Sequence, residues 1–165
     1  MLGGGRSIIM YGYWNKIIRI NLTNKTYSLE TIKEELWRKY LGWSGLGAKL
    51  MYDEVNPGID PLGHENKIFF LTGPFCGTNI PTSGRHAAVT KSPLTGIFAE
   101  SDVGGSWGYE LKRAGYDGII IEGKAESPVY IYIEDSKIEI KDARHIWGKD
   151  TYETDELLKK ELAAD

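Results

Sequence analysis

Hydrophobic and polar positions along this chain form short alternating runs, interrupted by glycine and proline, with a few stretches of helical spacing between them. In residues 15–22, Ile18, Ile20 and Leu22 share one parity with Lys16, while Ile17, Arg19 and Asn21 share the other. A period of two predicts a strand. Thr23-Asn24-Lys25 is turn material and residues 26–31 return, so a hairpin is expected. Residues 33–41 place Leu36, Trp37, Tyr40 and Leu41 at helical spacing and run into Gly42, a suitable stop. Gly45-Leu46-Gly47 breaks that pattern before a short helix over 48–55, closed by Asn56-Pro57-Gly58. Residues 67–71 read as a buried strand. Later come a helix-like stretch near 105–114, with Tyr109, Leu111 and Ala114 inward, and a short apolar strand at 119–122. A cleanly alternating hairpin follows, 129–133 against 137–141. A last helix spans 151–163, with Asp150 as its N-cap and Glu153 at capping-box spacing. Residues 1–10 read as a disordered leader before a globular domain over 11–165, and Met10-Tyr11-Gly12 resembles a second start.

The stretch 72–108 does not fit either period. It holds three of the six prolines, and its strand-like parts are confined to 86–90 and 97–99. A Gly/Pro/Ser/Thr-rich segment of this length inside a domain is more often functional than connecting. Gly84, Gly104 and Gly105 free the backbone N–H groups for close approach to an anion, and the helix start at Ser106 adds partial positive charge. Gly104-Gly105-Ser106-Trp107-Gly108 is compatible with a phosphate turn or with a tight turn for helix packing. It is neither the dinucleotide fingerprint, since Val103 stands where the first glycine belongs, nor a P-loop. A nucleotide-binding domain is therefore poorly supported. Arg85, after Thr82-Ser83-Gly84, can fork onto a phosphate or form a surface salt bridge. Asp102, which reads as buried before the Gly-Gly pair, can ligate magnesium beside a phosphate or cap the following helix.

Composition narrows the classes. The 165 residues carry a net charge of −3, which leaves no footprint for nucleic acid or an anionic membrane. No apolar run reaches the roughly 18–20 residues that span a bilayer, so the cytoplasm is the expected location. One cysteine excludes an internal disulfide or a cysteine-ligated cluster within the chain. His64, His86 and His145 have no zinc-ligand spacing. Cys76 and His86 as a nucleophilic pair compete with a simple core thiol. Trp37, Tyr40, Trp43, Trp107 and Tyr109 read as core.

The motifs taken in order resemble a known family. Tyr11-Gly12-Tyr13-Trp14 with IIRINLT, then YLGWSGLGAKLMYDE, TGPFCGTNIPTSGRHAAVTKSPLTG, GGSWGYELKRAGYDGIIIEGKAESPVYIYI and ARHIWGKDT, are similar to the N-terminal cofactor-binding domain of the aldehyde ferredoxin oxidoreductases. The resemblance runs from about Met10 to the C-terminus. It implies an α+β fold of mainly antiparallel sheets with flanking helices, part of a saddle-shaped, internally duplicated domain. It also implies an iron–sulfur tungstoenzyme, occasionally a molybdenum enzyme, that oxidises aldehydes to carboxylic acids and passes electrons to ferredoxin. In such enzymes the metal is held by two pterins (a molybdopterin-type cofactor), magnesium bridges the pterin phosphates, and a 4Fe-4S cluster lies nearby. By motif, Arg85 matches the pterin-binding arginine, Gly104 a glycine whose backbone contacts the cofactor with Gly105 beside it, and Asp102 a position where family members carry an asparagine near pterin and magnesium. Ser44 replaces an arginine common in the family. The second Gly-rich pterin loop, the cluster cysteines and the later catalytic residues are not among these 165 residues. The expectation is half a cofactor cradle from a longer or split subunit, inactive and metal-free alone, with no catalytic residue of its own. Its expected partners are the remaining domains or subunits, ferredoxin and an aldehyde, with self-association through exposed apolar surface. The alternative is a non-catalytic binding or scaffold module that kept the fold and lost the cofactor.

Overall fold

A computed structural model describes residues 11–162; the expected leader at 1–10 and the last helical residue expected at 163 lie outside them. The chain divides into two compact units after Lys124. In the first, strands β1 (Ile17–Asn21), β2 (Thr26–Glu30), β3 (Lys67–Thr72), β4 (His86–Lys91), β5 (Phe98–Val103) and β6 (Gly118–Glu122) form one sheet in the order β2-β1-β6-β3-β4-β5. Every neighbouring pair is antiparallel except β1 and β6. Helices α1 (Glu34–Tyr40) and α2 (Trp43–Glu54) follow β2, and α3 (Trp107–Arg113) precedes β6.

The alternation in β1 predicts one wet face, but Ile17, Ile18 and Ile20 are all fully buried. Beside it, Ile119 and Ile120 of β6 are buried as well. Strands inside a sheet covered on both faces need apolar residues of both parities, and the sequence IIRI provides them. The core on the α1–α2 side gathers Trp37, Leu46, Leu50, Phe69, Leu71 and Val89.

The expected break at Gly45-Leu46-Gly47 does not occur; α2 runs through it. A Cβ on Gly47 would lie 2.8 Å from Val89 Cγ2, and one on Gly45 would lie 2.6 Å from the Tyr40 carbonyl oxygen. The absence of a side chain at Gly47 lets α2 lie directly on β4, and its absence at Gly45 lets the start of α2 pack on the end of α1. That packing outweighs the roughly 1 kcal/mol helix penalty of each glycine.

An ion network ties strands to helix. Arg19 binds Glu30 at 2.6 Å, Glu54 at 2.9 Å and Glu122 at 3.2 Å, and Lys67 reaches Glu54 at 2.9 Å and Glu122 at 3.0 Å. Burial opposes each charge, yet the hydrogen bonds among them prevail. They push Arg19 and Lys67 up and hold Glu54 and Glu122 below the usual carboxylate range.

The second unit is the hairpin β7 (Val129–Glu134) and β8 (Lys137–Asp142) with helix α4 (Thr151–Leu162). Asp150 Oδ1 accepts the Glu153 N–H at 2.9 Å, as the capping spacing predicts. Tyr130 donates to Glu161 at 2.7 Å, and His145 Nε2 lies 2.9 Å from the same carboxylate. No helix among the described residues is long and apolar enough to cross a membrane.

Candidate functional site

The antiparallel register pairs His86 with Val103. Arg85 immediately precedes β4 and Gly104 immediately follows β5, so the two glycine turns meet at one end of the sheet. They touch backbone to backbone. A Cβ on Gly84 would lie 3.2 Å from the Gly105 carbonyl oxygen, and one on Gly108 would lie 3.1 Å from the Gly84 carbonyl oxygen. A side chain at Gly84 or Gly108 would require the facing backbone to give by a few tenths of an ångström. At Gly104 and Gly105, in contrast, an added Cβ meets nothing within 4 Å, and Gly105 has φ +84°. Two successive residues thus present bare backbone to open space, where a ligand atom can approach closely.

Arg85 is exposed. The surface salt bridge open to it by sequence is not formed, for Arg85 has no ion pair or hydrogen bond among the described residues. An unengaged guanidinium at the end of the sheet that carries this open backbone is suited to a forked contact with phosphate or carboxylate.

Asp102 departs from its expected setting: it is exposed, not buried. Strand register explains this, because β5 is the sheet's last strand and its residues have a neighbour on one side. Nor does it cap the next helix, whose N-cap is Ser106 with no side-chain cap bond. Its Oδ1 accepts the Trp43 indole N–H at 2.5 Å, which joins the start of α2 to the edge of the sheet. No group of three or more His, Cys, Asp or Glu able to hold a metal occurs among the described residues. Asp102 therefore offers a single carboxylate.

The histidines do not converge. His64 is exposed, and His145 belongs to the second unit. His86 is 5% exposed, and its ring lies 4.4 Å from Trp107 and 6.5 Å from Phe70 between centroids. Burial pushes its pKa down, favouring the neutral ring, and its Nδ1 has no hydrogen-bond partner among the described residues. Cys76 is buried with its thiol pushed up by burial, against a smaller opposing effect of Lys112. It shares no hydrogen bond with His86, so the two form no nucleophilic pair. Of the aromatic residues read as core, Trp37 is fully buried, but Trp107 is 42% exposed.

One cluster escaped the sequence reading. Lys112 Nζ donates to Asp117 Oδ1 at 2.5 Å and to the Gly12 carbonyl at 2.7 Å. Asp117 also accepts the backbone N–H groups of Trp14 and Lys16, each at 3.2 Å. Trp14 Nε1 donates to the Lys112 carbonyl at 2.6 Å. The segment before β1 is thereby pinned to α3, the helix that leaves the glycine turn. An Asp-Gly dipeptide before a strand reads as a turn, and nothing local in the sequence identifies the buried partner.

Comparison with known proteins identifies the family of the chain. The family model for the aldehyde ferredoxin oxidoreductase N-terminal domain matches residues 17–165. The tungsten-containing aldehyde ferredoxin oxidoreductase of Pyrococcus horikoshii is 52% identical over 153 residues, 93% of this chain and 25% of that protein. Its counterpart from Pyrococcus furiosus is 51% identical over 156 residues, 94% of this chain and 26% of that protein. The solved active-site complex BamBC of benzoyl coenzyme A reductase, bound to 1,5-dienoyl-CoA, superposes with a TM-score of 0.92 at 39% identity. That match covers 94% of this chain and 24% of the other. The chain thus spans about a quarter of the length of these relatives, and it belongs to the aldehyde ferredoxin oxidoreductase N-terminal domain family.

Proposed function

We propose that this chain is the N-terminal part of a cytoplasmic tungsten or molybdenum oxidoreductase and forms half of a bis-pterin cradle. Aldehydes are the proposed substrates and ferredoxin the electron acceptor. One observation carries the reading: Arg85, whose guanidinium has no partner among the described residues, precedes β4 at the end of the sheet where Gly104 and Gly105 present open backbone. The donor set fits a phosphorylated cofactor. Arg85 would fork onto a pterin phosphate, and the Gly104 and Gly105 backbone would approach it closely. Asp102 would offer its second carboxylate oxygen to magnesium while Trp43 holds the first. Asp102 can accept hydrogen bonds but, ionised, cannot donate one as an amide would. When bound, the metal–pterin group supplies the redox chemistry; these residues bind and orient it.

Gly104→Ala separates this reading from a merely tight turn. Nothing lies within 4 Å of the added methyl and the φ of Gly104 is outside the left-handed range, so folding stability should stay within about 0.5 kcal/mol. The methyl does occupy the space an anion needs, so affinity for inorganic phosphate should fall several-fold. Unchanged affinity would remove Gly104 from the site. The further segments of the relatives are, on this reading, required for turnover. Adding aldehyde to the pure chain should therefore reduce no viologen dye, and dye reduction would overturn that part. A scaffold module without cofactor would instead leave the chain indifferent to phosphate from the start.

A further inference from the structure

We propose that the groove between α2 and the start of β5 binds a small apolar carboxylate, with its anionic head seated on the buried ammonium of Lys91. The groove lies apart from the glycine turns. Arg85 precedes β4 and Lys91 ends it, roughly 20 Å away along the strand, so the inference stands independently of the cofactor cradle.

Strand alternation puts Ala87, Val89 and Lys91 on one face of β4, the face whose apolar members join the core beneath α2. Register sets Phe98 of β5 directly opposite Lys91. Ala48, Met51 and Tyr52 of α2, with Val55 at its C-cap, recur at helical spacing and form the facing wall. Together with Ile97 and Phe98 they line a cavity of about 610 Å³, inside the roughly 300–1,000 Å³ of small-molecule sites. Its depth is apolar, since Met51 and Val55 are buried, and its mouth is open, with Ile97 67% and Phe98 43% exposed.

Lys91 is out of keeping with this apolar wall. It is only 7% exposed, and its Nζ donates to the Pro57 carbonyl at 2.5 Å and the Ile59 carbonyl at 2.8 Å. An ammonium has three donors. The third has no partner among the described residues, and no carboxylate there balances the charge. Two neutral carbonyls do not cancel a buried charge, so the site attracts an anion. Lys91 and Pro57 both line the cavity, which puts the uncompensated charge at its wall. One ammonium calls for one negative charge, which favours a carboxylate over a phosphate monoester of roughly −2. An apolar tail against Met51 and Phe98 completes the match.

The test titrates the isotope-labelled 165-residue chain with hexanoate, butanoate and 1-hexanol and follows backbone amides by NMR. Hexanoate should give saturable shifts at Ala48, Met51, Ile97 and Phe98. It should bind about tenfold more tightly than butanoate, through its additional buried methylenes. It should also bind at least about tenfold more tightly than hexanol, which offers Lys91 no charge. Ala48→Leu extends a side chain into the groove at a position where leucine suits the helix, so it should abolish hexanoate binding and retain the fold. Lys91→Met should bring hexanoate down to the affinity of hexanol. Equal affinity for hexanoate and hexanol in the wild-type chain, or hexanoate affinity unaffected by Ala48→Leu, overturns the site whether or not Lys91→Met folds. An absence of saturable shifts at these residues does the same. Shifts of the same residues on raising the protein concentration alone would assign the groove to a second copy of the chain and overturn the proposal as well. None of these outcomes bears on Arg85 or the glycine turns.

Discussion

Asp117→Ala should destabilise the chain by about 3–5 kcal/mol, the cost of breaking a buried ion pair from one side. Asp117 is fully buried, and the side chain of its partner Lys112 is 6% exposed. The carboxylate satisfies the Lys112 ammonium and two backbone N–H groups, those of Trp14 and Lys16. After truncation the ammonium keeps the Gly12 carbonyl, and the two N–H groups lose their acceptor. A buried charge left with one neutral acceptor is the costly case; replacing both partners by apolar groups is far milder. Asp117→Asn, which retains an acceptor oxygen, should cost less than alanine. Because the pair pins residues 12–16 to α3, the alanine variant should also loosen the glycine turn and speed amide exchange at Gly104 and Gly105. Urea unfolding of the three proteins checks the ordering, and a loss below about 1 kcal/mol in Asp117→Ala would contradict the account.

Arg85 should show the opposite profile. Exposed and without a partner, it contributes little to folding, so Arg85→Ala should change stability by no more than about 0.5 kcal/mol. A hydrogen bond to a charged group is worth about 1.5–3 kcal/mol, so phosphate affinity should fall by roughly ten- to a hundredfold. Arg85→Lys should fall between the two proteins, since lysine keeps the charge but not the planar fork. Calorimetric titration and thermal unfolding of the same samples distinguish the roles. Large destabilisation with unchanged phosphate affinity would make Arg85 a structural residue.

Much of this molecule was legible in its sequence, and the misreadings share physical causes. Strands β7 and β8 and helices α1 and α4 lie within one or two residues of where periodicity puts them, and β3 and β6 within one or two residues of their short apolar runs, because each carries a clear local pattern. Misreadings arose where tertiary packing overrides local preference. Helix α2 continues through Gly45 and Gly47 because close packing leaves no room for side chains there, against the Tyr40 carbonyl of α1 at Gly45 and against Val89 of β4 at Gly47. Strand β5 extends to Val103, although Glu100, Ser101 and Asp102 carry no apolar signal, because register with β4 holds it. Asp102 sits at the sheet edge for the same reason.

For the candidate site, glycine spacing revealed the two turns and Arg85, since bare backbone beside an arginine is a local feature. Their meeting at one end of the sheet follows from the β4–β5 pairing, which the sequence only hinted at. Trp43 as the partner of Asp102, 59 positions away, and the Lys112–Asp117 pair with residues 12–16, about 100 positions away, are long-range encounters. No spacing rule predicts them. Trp107 was read as core because an aromatic residue at helical spacing normally is; its exposure depends on α3 lying at the end of the sheet.

The central claim is that this chain carries an anion half-site built from Arg85, Gly104 and Gly105. The most direct test is a titration of the isotope-labelled wild-type chain with phosphate and then diphosphate at constant ionic strength. The account predicts saturable shifts confined to Arg85, Gly104, Gly105 and their immediate neighbours, with diphosphate binding more tightly than phosphate. Shifts spread evenly over the surface lysines and arginines, or no saturable shift at these three residues, would contradict it.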